Sequence, residues 1–186
     1  EPGKIIIFNT LNFSLSEKKS YWDLFSKLTE CVSERHSYSD QEVIDKLDYK
    51  IKDSVKKRML SDVPIGVSLS GGIDSSLIAA EMQSLCSSPI NTYTIGFEVE
   101  GYNEANNAKS IAKYLGTSHN ELYLKEKDAI SVIPELPIIW DEPFADASQI
   151  PTYILSKLIK NNVSVCLSGD GGDELLCGYN RYGKGY

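Results

Sequence analysis

Two glycine-rich segments constrain this chain more than any other feature of its sequence, because each directly follows a short apolar run. Residues 70–76 (Ser-Gly-Gly-Ile-Asp-Ser-Ser) follow the apolar run 65–69, and residues 168–174 (Ser-Gly-Asp-Gly-Gly-Asp-Glu) follow the apolar run 163–167. In an open parallel sheet, ligands bind outside the carboxyl ends of the strands. Both segments are therefore predicted to lie at the ligand-binding edge of one sheet.

Apolar periodicity predicts the fold class. Short apolar runs at 65–69, 92–97, 121–124 and 163–167 alternate with helical patterns near 75–86, 105–115 and 150–160. Strands separated by helices of this length predict right-handed βαβ units and a parallel sheet. The run 163–167 is apolar enough for a central strand. We expect an α/β fold, a twisted parallel sheet with helices on both faces.

The first 60 residues are organised differently. Residues 4–8 predict a strand, a second extended stretch leads towards Tyr21 and Trp22, and residues 30–40 are polar enough for a linker. Apolar residues then recur every four positions from Val43 to Met59, which predicts an amphipathic helix with Asp40 as its N-cap. Gly116 is placed to end the 105–115 helix.

Composition excludes several functions. With 19 basic and 26 acidic residues the formal charge is −7, and no basic run is present, so a nucleic-acid partner is not expected. No apolar run approaches the roughly 20 residues of a membrane helix, and the first residues do not resemble a signal peptide. The four cysteines form no CxxC pair, and Cys166 falls in an apolar run, so free thiols in the cytoplasm are expected.

The first glycine segment has the chemistry of a phosphate-binding loop. Glycines allow close backbone approach, serine hydroxyls donate hydrogen bonds, and the following helix start attracts anions. Asp74 would repel a phosphate unless a cation bridged them, which suggests Mg²⁺. The segment is neither a Walker A nor a dinucleotide motif. The alternative is an ordinary strand-to-helix turn in which Asp74 is a first-turn acid.

The second glycine segment adds three carboxylates to the same predicted edge. Turn chemistry alone could produce an Asp/Gly-rich loop, but the spacing excludes an EF-hand calcium loop. A polyphosphate ligand could face these acids only with a divalent cation present. Asp74 and Asp173 are the predicted Mg²⁺ ligands.

The first segment resembles the PP-loop of the ATP pyrophosphatases. The second segment, followed by Gly-Tyr-Asn-Arg-Tyr at 178–182, resembles the glutamine-dependent asparagine synthetases within that superfamily. Residues 61–66, 94–97, 102–105 and 115–119 are also typical of the family. Residues 141–146 (Asp-Glu-Pro-Phe-Ala-Asp) are typical of a branch associated with surface-polysaccharide synthesis.

The resemblance implies roles for individual residues. Ser70, Gly71, Gly72, Asp74 and Ser75 would bind the pyrophosphate portion of ATP, and backbone at Ser68, Leu69 and Ile95 would contact adenine and ribose. Ser168 and Gly169 would contact the AMP moiety. Asp170 occupies a position that is commonly Glu in asparagine synthetases and would serve acyl transfer.

The implied reaction is ATP-dependent amide formation. A carboxylate, aspartate by default, is activated as an acyl-adenylate with release of pyrophosphate, and ammonia displaces AMP. Alternatives are a sister ligase acting on a sugar carboxylate, a tRNA-modifying PP-loop enzyme and an idle ATP-binding module. An acidic Asp146 near the acceptor would repel a dicarboxylate such as aspartate. His119, Arg181 and Cys177 are expected to be structural or exposed residues rather than catalytic ones.

The resemblance also implies a domain organisation. Residues 1–30 would be the tail of a glutaminase domain and a linker, and residues 31–186 a truncated synthetase domain. Because the sequence begins at Glu1, without the family's N-terminal cysteine, and a supporting lysine would lie beyond Tyr186, we expect a fragment. Alone, it should bind Mg·ATP weakly and form no product. Ammonia would come from the glutaminase, and a cytoplasmic homodimer is compatible with the family.

Overall fold

The computed structural model describes residues 2–33, 38–97, 104–143, 145–180 and 182. The chain divides into two compact units, residues 1–46 and residues 47–186. The predicted boundary after residue 30 concerned domain identity, and that assignment stays a prediction.

The first unit contains a hairpin and a helix. Strands β1 (Lys4–Asn9) and β2 (Ser14–Ser20) pair antiparallel, as the two extended stretches predicted. Helix α1 spans Leu24–Ser33. The linker predicted over 30–40 is therefore wrong at its start. The backbone N–H and hydroxyl of Ser26 both donate to Asp23 Oδ1 at 2.8 Å, which anchors the first turn of α1 and lowers the pKa of Asp23.

Helix α2 spans Asp40–Arg58. Its start differs from the prediction, because Ser39 rather than Asp40 provides the capping hydrogen bonds. Ser39 donates its backbone N–H and hydroxyl to Glu42 Oε2, and Glu42 N–H donates back to Ser39 Oγ at 3.4 Å. This reciprocal arrangement is a capping box. The predicted apolar face is buried at Val55, whereas Val43 is 49% exposed.

The second unit alternates strands and helices over most of its length. Its strands are β3 (Ile65–Ser68), β4 (Asn91–Phe97), β5 (Ser118–Leu124) and β6 (Val165–Leu167). Its helices beyond α2 are α3 (Ile73–Ser84), α4 (Ala105–Leu115), α5 (Glu126–Val132), α6 (Leu136–Trp140), α7 (Gln149–Lys160) and α8 (Gly172–Leu176). A 3₁₀ turn, Ile133–Glu135, joins α5 to α6. Gly116 ends α4 with a φ of 74°, as predicted.

The four strands of the second unit form a parallel sheet in the order β5-β4-β3-β6. From β3 the chain moves one way to β4 and β5, then returns past β3 to β6. This reversal is a topological switch point, and it falls between the adjacent strands β3 and β6. The predicted α/β class with a parallel sheet is confirmed.

The two faces of this sheet are covered by different helices. Val67 pairs with Thr92 in register, and Val67 packs with Ala79 of α3 and Ala108 of α4 in the larger core cluster. Tyr93, the next residue of β4, points the opposite way and packs with Ile159 of α7. Helices on both faces follow directly from this alternation.

Two predicted strands have different bounds in the structure. β5 begins at Ser118, three residues before the predicted start, because the whole strand pairs with β4. The run 163–167 was expected to behave as a central strand, but β6 is only three residues long and, within the described ranges, pairs with β3 alone. Val163 is apolar because it packs beside Tyr93, outside the strand. Within the described ranges, no helix is both long and apolar enough to cross a membrane.

His119 is held inside the second unit by β4. Its Nδ1 lies 2.8 Å from the hydroxyl of the buried Thr92, which in turn lies 2.9 Å from the Thr117 hydroxyl. Its Nε2 is buried and has no hydrogen-bond partner among the described residues. Burial lowers the pKa of His119, because a charged ring would be desolvated.

We therefore expect His119 to make folding sensitive to mild acid. In the unfolded chain this ring has the ordinary histidine pKa of about 6.5, whereas burial lowers its pKa in the folded chain. The stabilisation is fully present above the unfolded pKa and is lost as the pH falls through the folded pKa. His119→Gln should flatten the dependence of the free energy of unfolding on pH between about pH 7 and pH 5. Urea unfolding of the parent chain and of the His119→Gln variant, repeated across this pH range, measures this slope.

Asn106→Gln, at an exposed residue of α4 without a titratable group, supplies the control and should keep the parental slope. A parental slope in His119→Gln as well would show that burial of His119 does not affect stability in this range.

Candidate functional site

Two loops meet at the switch point of the sheet. The first leaves β3 and enters α3 through Leu69–Gly72, and the second leaves β6 and enters α8 through Ser168–Gly171. Since β3 and β6 are adjacent and parallel, both loops lie at their carboxyl ends. The sequence prediction that these glycine segments share one edge of the sheet is confirmed.

Serine hydroxyls close the first loop. Ser70 N–H donates to Ser75 Oγ at 3.1 Å, and the two hydroxyls lie 2.9 Å apart. Gly72 N–H donates to Ser70 Oγ at 3.2 Å. Gly71 has a φ of 88°, which favours glycine. Because Gly72, the N-cap of α3, has no side chain, the helix start is left without a side-chain cap among the described residues and its first N–H groups can face an anion.

The second loop is shaped by Ser168 and by two further glycines. The Ser168 hydroxyl donates to Asp170 Oδ2 at 2.9 Å, which orients that carboxylate. Gly171 has a φ of 90°, and Gly172 N–H donates to the Gly169 carbonyl at 3.1 Å. The loop therefore turns sharply and sends Asp173 into the first turn of α8.

Glycine allows the second loop to contact the start of α3. A Cβ on Gly169 would lie 2.7 Å from Ser75 N and 2.9 Å from the Asp74 carbonyl carbon. A Cβ on Gly172 would lie 2.5 Å from Asp74 Cγ. At Gly169 the neighbouring atoms are backbone, so no side chain fits there and the two loops approach each other directly; at Gly172 the neighbour is the Asp74 side chain.

The two loops and α7 enclose one cleft of about 650 Å³. It brings together eight of the predicted site residues: Ser68, Ser70, Asp74, Ser75, Ser168, Gly169, Asp170 and Asp173. Four others do not line it: Leu69, Gly71, Gly72 and Ile95. The Leu69 side chain is only 1% exposed and packs in the core, and its backbone N–H donates to the Tyr93 carbonyl at 2.8 Å.

Sequence reasoning missed one wall of this cleft. Ser148, Thr152 and Ser156 line it from α7 and the residue before it, and Tyr179 lines it beyond α8. The three hydroxyl residues are spaced four apart, and that spacing indicates one hydroxyl-bearing helix face. Tyr179 donates its hydroxyl to Glu174 Oε1 at 2.8 Å, and Glu174 also lines the cleft.

The described residues that line the cleft make it strongly acidic. Five carboxylates line it: Asp74, Asp146, Asp170, Asp173 and Glu174. Hydrogen bonds from the backbone and hydroxyl of Ser148 lower the pKa of Asp146, so this acid is ionised at neutral pH. Cys166 also lines the cleft, and burial raises the pKa of its thiol to about 11, as expected for an apolar strand.

The residues present fit a magnesium ion that is shared with a substrate. Gly172 lies directly against the Asp74 carboxylate, and Asp74 and Asp173 both line the cleft, one from each loop. Mg²⁺ is commonly held by one or two carboxylates together with phosphate oxygens and water. Among the described residues no group of three or more His, Cys, Asp or Glu side chains is assembled into a metal site. An ion here would therefore complete its coordination with substrate oxygens and water.

The weaker sequence candidates lie elsewhere. His119 bonds Thr92 and does not line the cleft, in agreement with a structural residue. Cys177 is an exposed free thiol, and all four cysteines are free. Arg181, Phe144 and the Tyr102–Asn103 pair fall outside the described residues.

The sheet order and the cleft define a doubly wound α/β domain with its cleft at the switch point, where such folds bind ligands. Comparison with known proteins then gives the family. The asparagine synthase family profile matches residues 46–186. The chain therefore belongs to the asparagine synthase family.

Individual relatives agree with this family. A Methanocaldococcus jannaschii protein described as "Putative asparagine synthetase (glutamine-hydrolyzing) 2" is 39% identical over 170 residues, which cover 91% of this chain and 32% of the relative. Asparagine synthetase (glutamine-hydrolyzing) 1 of Bacillus subtilis is 41% identical over 132 residues, covering 71% of this chain and 21% of the relative. The chain thus spans about a third or less of the length of these relatives.

Among solved structures, an NH3-dependent NAD synthetase from Campylobacter jejuni in complex with nitrate ion aligns with a TM-score of 0.48 and 18% identity. The alignment covers 77% of this chain and 62% of that chain.

The close approach of the two loops predicts a large effect of one methyl group. Gly169→Ala should destabilise the fold by about 1–3 kcal/mol, because the added carbon meets backbone atoms that cannot move aside. Gly72→Ala is the matched control, since its Cβ would meet only Ser70 Oγ at 3.4 Å. Urea unfolding measures both variants. Equal stability of the two would contradict tight contact between Gly169 and α3.

Proposed function

We propose that this chain is the part of an amide-forming ligase that binds ATP and activates a carboxylate as an acyl-adenylate. Membership in the asparagine synthase family supports this proposal. The single observation that carries it is the contact of Gly169 with Asp74 and Ser75, which makes one cleft from two glycine loops and places carboxylates of both loops around it.

In this proposal the first loop binds the pyrophosphate portion of ATP. Its glycines and the first N–H groups of α3 supply the anion site, with Ser70 and Ser75 holding the loop in shape. Ser168, Gly169 and the backbone at Ser68 and Leu69 contact the AMP portion, as the family resemblance implies. The same resemblance gives Ile95 a backbone role, although Ile95 does not line the cleft.

Magnesium would be held by Asp74 and Asp173 together with phosphate oxygens. When bound, it would neutralise part of the charge of ATP and of the departing pyrophosphate. Without such a cation, the five carboxylates of the cleft would repel a nucleotide tetra-anion.

The proposed chemistry has two steps. An oxygen of the acceptor carboxylate attacks the α-phosphorus, the bond from that phosphorus to the bridging oxygen breaks, and pyrophosphate leaves. Ammonia then attacks the acyl carbon, the bond to the AMP oxygen breaks, and the nitrogen loses a proton. The chain contributes positioning and charge stabilisation. Asp170, oriented by Ser168, is the residue we assign to the acyl-transfer step.

The remaining parts of the proposal come from the relatives. Their names describe glutamine-hydrolyzing asparagine synthetases, so glutamine is the proposed source of ammonia and aspartate the default acceptor. A glutaminase domain is proposed on the same grounds, and a homodimer and a cytoplasmic location are proposed from the family resemblance. An idle ATP-binding module is the competing function, and it would not need carboxylates on both loops.

The magnesium assignment predicts a selective loss. Asp74→Asn should weaken binding of Mg·ATP by about tenfold or more, because a metal ligand is lost. Binding of metal-free ATP should be unchanged or improved, because the variant removes a negative charge from the cleft. Calorimetric titrations with and without Mg²⁺ measure both affinities.

Asp62→Asn is the matched control, since Asp62 is an exposed acid at the opposite end of β3. It should leave both affinities unchanged. Equal weakening of the two ATP forms by Asp74→Asn would contradict a shared metal.

The activity itself is tested by exchange of pyrophosphate into ATP. We expect exchange that requires a carboxylate acceptor in a longer natural form of this chain and little or none in the 186-residue chain alone, with ammonium in place of glutamine for the full reaction. Tight ATP binding without carboxylate-dependent exchange in either form would favour the idle module and contradict the ligase.

A further inference from the structure

A glycine outside both loops lies against one of the proposed metal ligands. Gly178 follows α8, and a Cβ on it would overlap with Asp173 Oδ1 and would lie 2.9 Å from Asp173 Cγ. The Asp173 carboxylate therefore occupies the space that a side chain at residue 178 would fill.

The turn that ends α8 brings Gly178 to this place. Cys177 has a left-handed φ of 59°, and the backbone N–H groups of Cys177 and Gly178 both donate to the Asp173 carbonyl. A left-handed residue after the last helical turn is a common way for a helix to end. In this chain the turn also folds the backbone back against Asp173, which lines the cleft.

Backbone conformation does not require a glycine at residue 178. Its φ is not positive, in contrast to the φ of 90° at Gly171. The atoms that a Cβ on Gly178 would meet first belong to the end of the Asp173 side chain, which can rotate to another staggered position. An alanine at residue 178 would therefore displace the carboxylate and leave the turn in place.

The other proposed metal ligand, Asp74, is bordered in the same way. A Cβ on Gly172 would lie 2.5 Å from Asp74 Cγ, and a Cβ on Gly169 would lie 3.0 Å from Asp74 Cβ. Each of the two acids thus lies against backbone that carries no side chain. Mg²⁺ requires nearly octahedral geometry with oxygens at about 2.0–2.1 Å, so a small displacement of either carboxylate would cost the ion a ligand.

We propose that Gly178 is a positioning residue for the metal ion: by leaving room for the Asp173 carboxylate, it lets this acid share the magnesium ion of the nucleotide with Asp74. The inference rests on the proposed function, which assigns these two acids to magnesium. It extends the metal site to a residue that follows α8. In this role Gly178 acts through Asp173 and does not itself bind the metal.

The variant Gly178→Ala tests this role in the 186-residue chain. ATP is titrated calorimetrically in Mg²⁺, in Ca²⁺ and without metal. Mg·ATP binding should weaken about tenfold, as is typical when a residue that orients a metal ligand is changed. Ca·ATP binding should weaken by less than about threefold, because Ca²⁺ accepts a more flexible geometry. Binding of metal-free ATP should not change. A general loosening of the cleft would instead weaken all three.

Two further variants show whether Gly178 acts through Asp173. In an Asp173→Ala chain, adding Gly178→Ala should cause no further loss of Mg·ATP affinity, because the carboxylate is already absent. Cys177→Gly is the matched control, since glycine keeps the left-handed turn and adds no atom beside Asp173. It should bind all three forms of ATP like the parent chain.

The outcomes separate this inference from the proposed function. Unchanged Mg·ATP binding in Gly178→Ala, equal weakening of Mg·ATP and Ca·ATP, or a further loss in the Asp173→Ala chain overturns the positioning role. A Gly178→Ala chain that does not fold in urea titrations also overturns it, because the carboxylate was expected to move at little cost.

A parent chain that binds ATP equally with and without Mg²⁺ counts against the proposed function instead. Mn²⁺ alone then decides the positioning role, through broadening of the amide NMR signals of Asp74 and Asp173. Gly178→Ala should need more Mn²⁺ than the parent for the same broadening. An equal requirement, or no broadening in the parent, overturns the role of Gly178.

Discussion

The contact between Gly169 and the first turn of α3 is the constraint on which the rest of the site depends. It joins a loop from β6 to a loop from β3, although nearly a hundred residues separate them in the sequence. Backbone lies directly against backbone there, and no flexible side chain can adjust the spacing. The positions of Asp74, Asp170 and Asp173 relative to one another follow from this contact, because each lies within two residues of it or of the neighbouring Gly172.

The sheet makes that contact possible. The β5-β4-β3-β6 order places two strands with opposite onward connections side by side, and the cleft opens at their carboxyl ends, lined by both loops and by α7. Helices α3 and α4 cover one face through Val67, and α7 covers the other through Tyr93. Since α7 is fixed by this packing, its hydroxyl face is as well positioned as the glycine loops.

Much of this architecture could be predicted from sequence because it depends on local patterns. Strand runs, helix periods and the two glycine segments each fall within a few residues, and so the α/β class was predicted correctly and eight of the predicted site residues line one cleft. The edge position of β6 could not be predicted from the sequence. The apolar run suggested a longer strand, but Val163 packs against Tyr93 and lies outside β6. The capping by Ser39 and the cleft role of Thr152 depend on side-chain direction, which residue type alone does not give.

Cys166 adds a chemical property to the cleft that its acids do not. Its sulfur lines the cavity, yet burial keeps the thiol protonated at physiological pH, with a pKa of about 11. Oxidants and electrophiles react with the thiolate, so this sulfur is a poor target for them. The exposed Cys31 and Cys177 are more accessible to the same reagents. Under oxidative stress, the surface thiols would therefore be modified first, while the sulfur that lines the cleft stayed reduced.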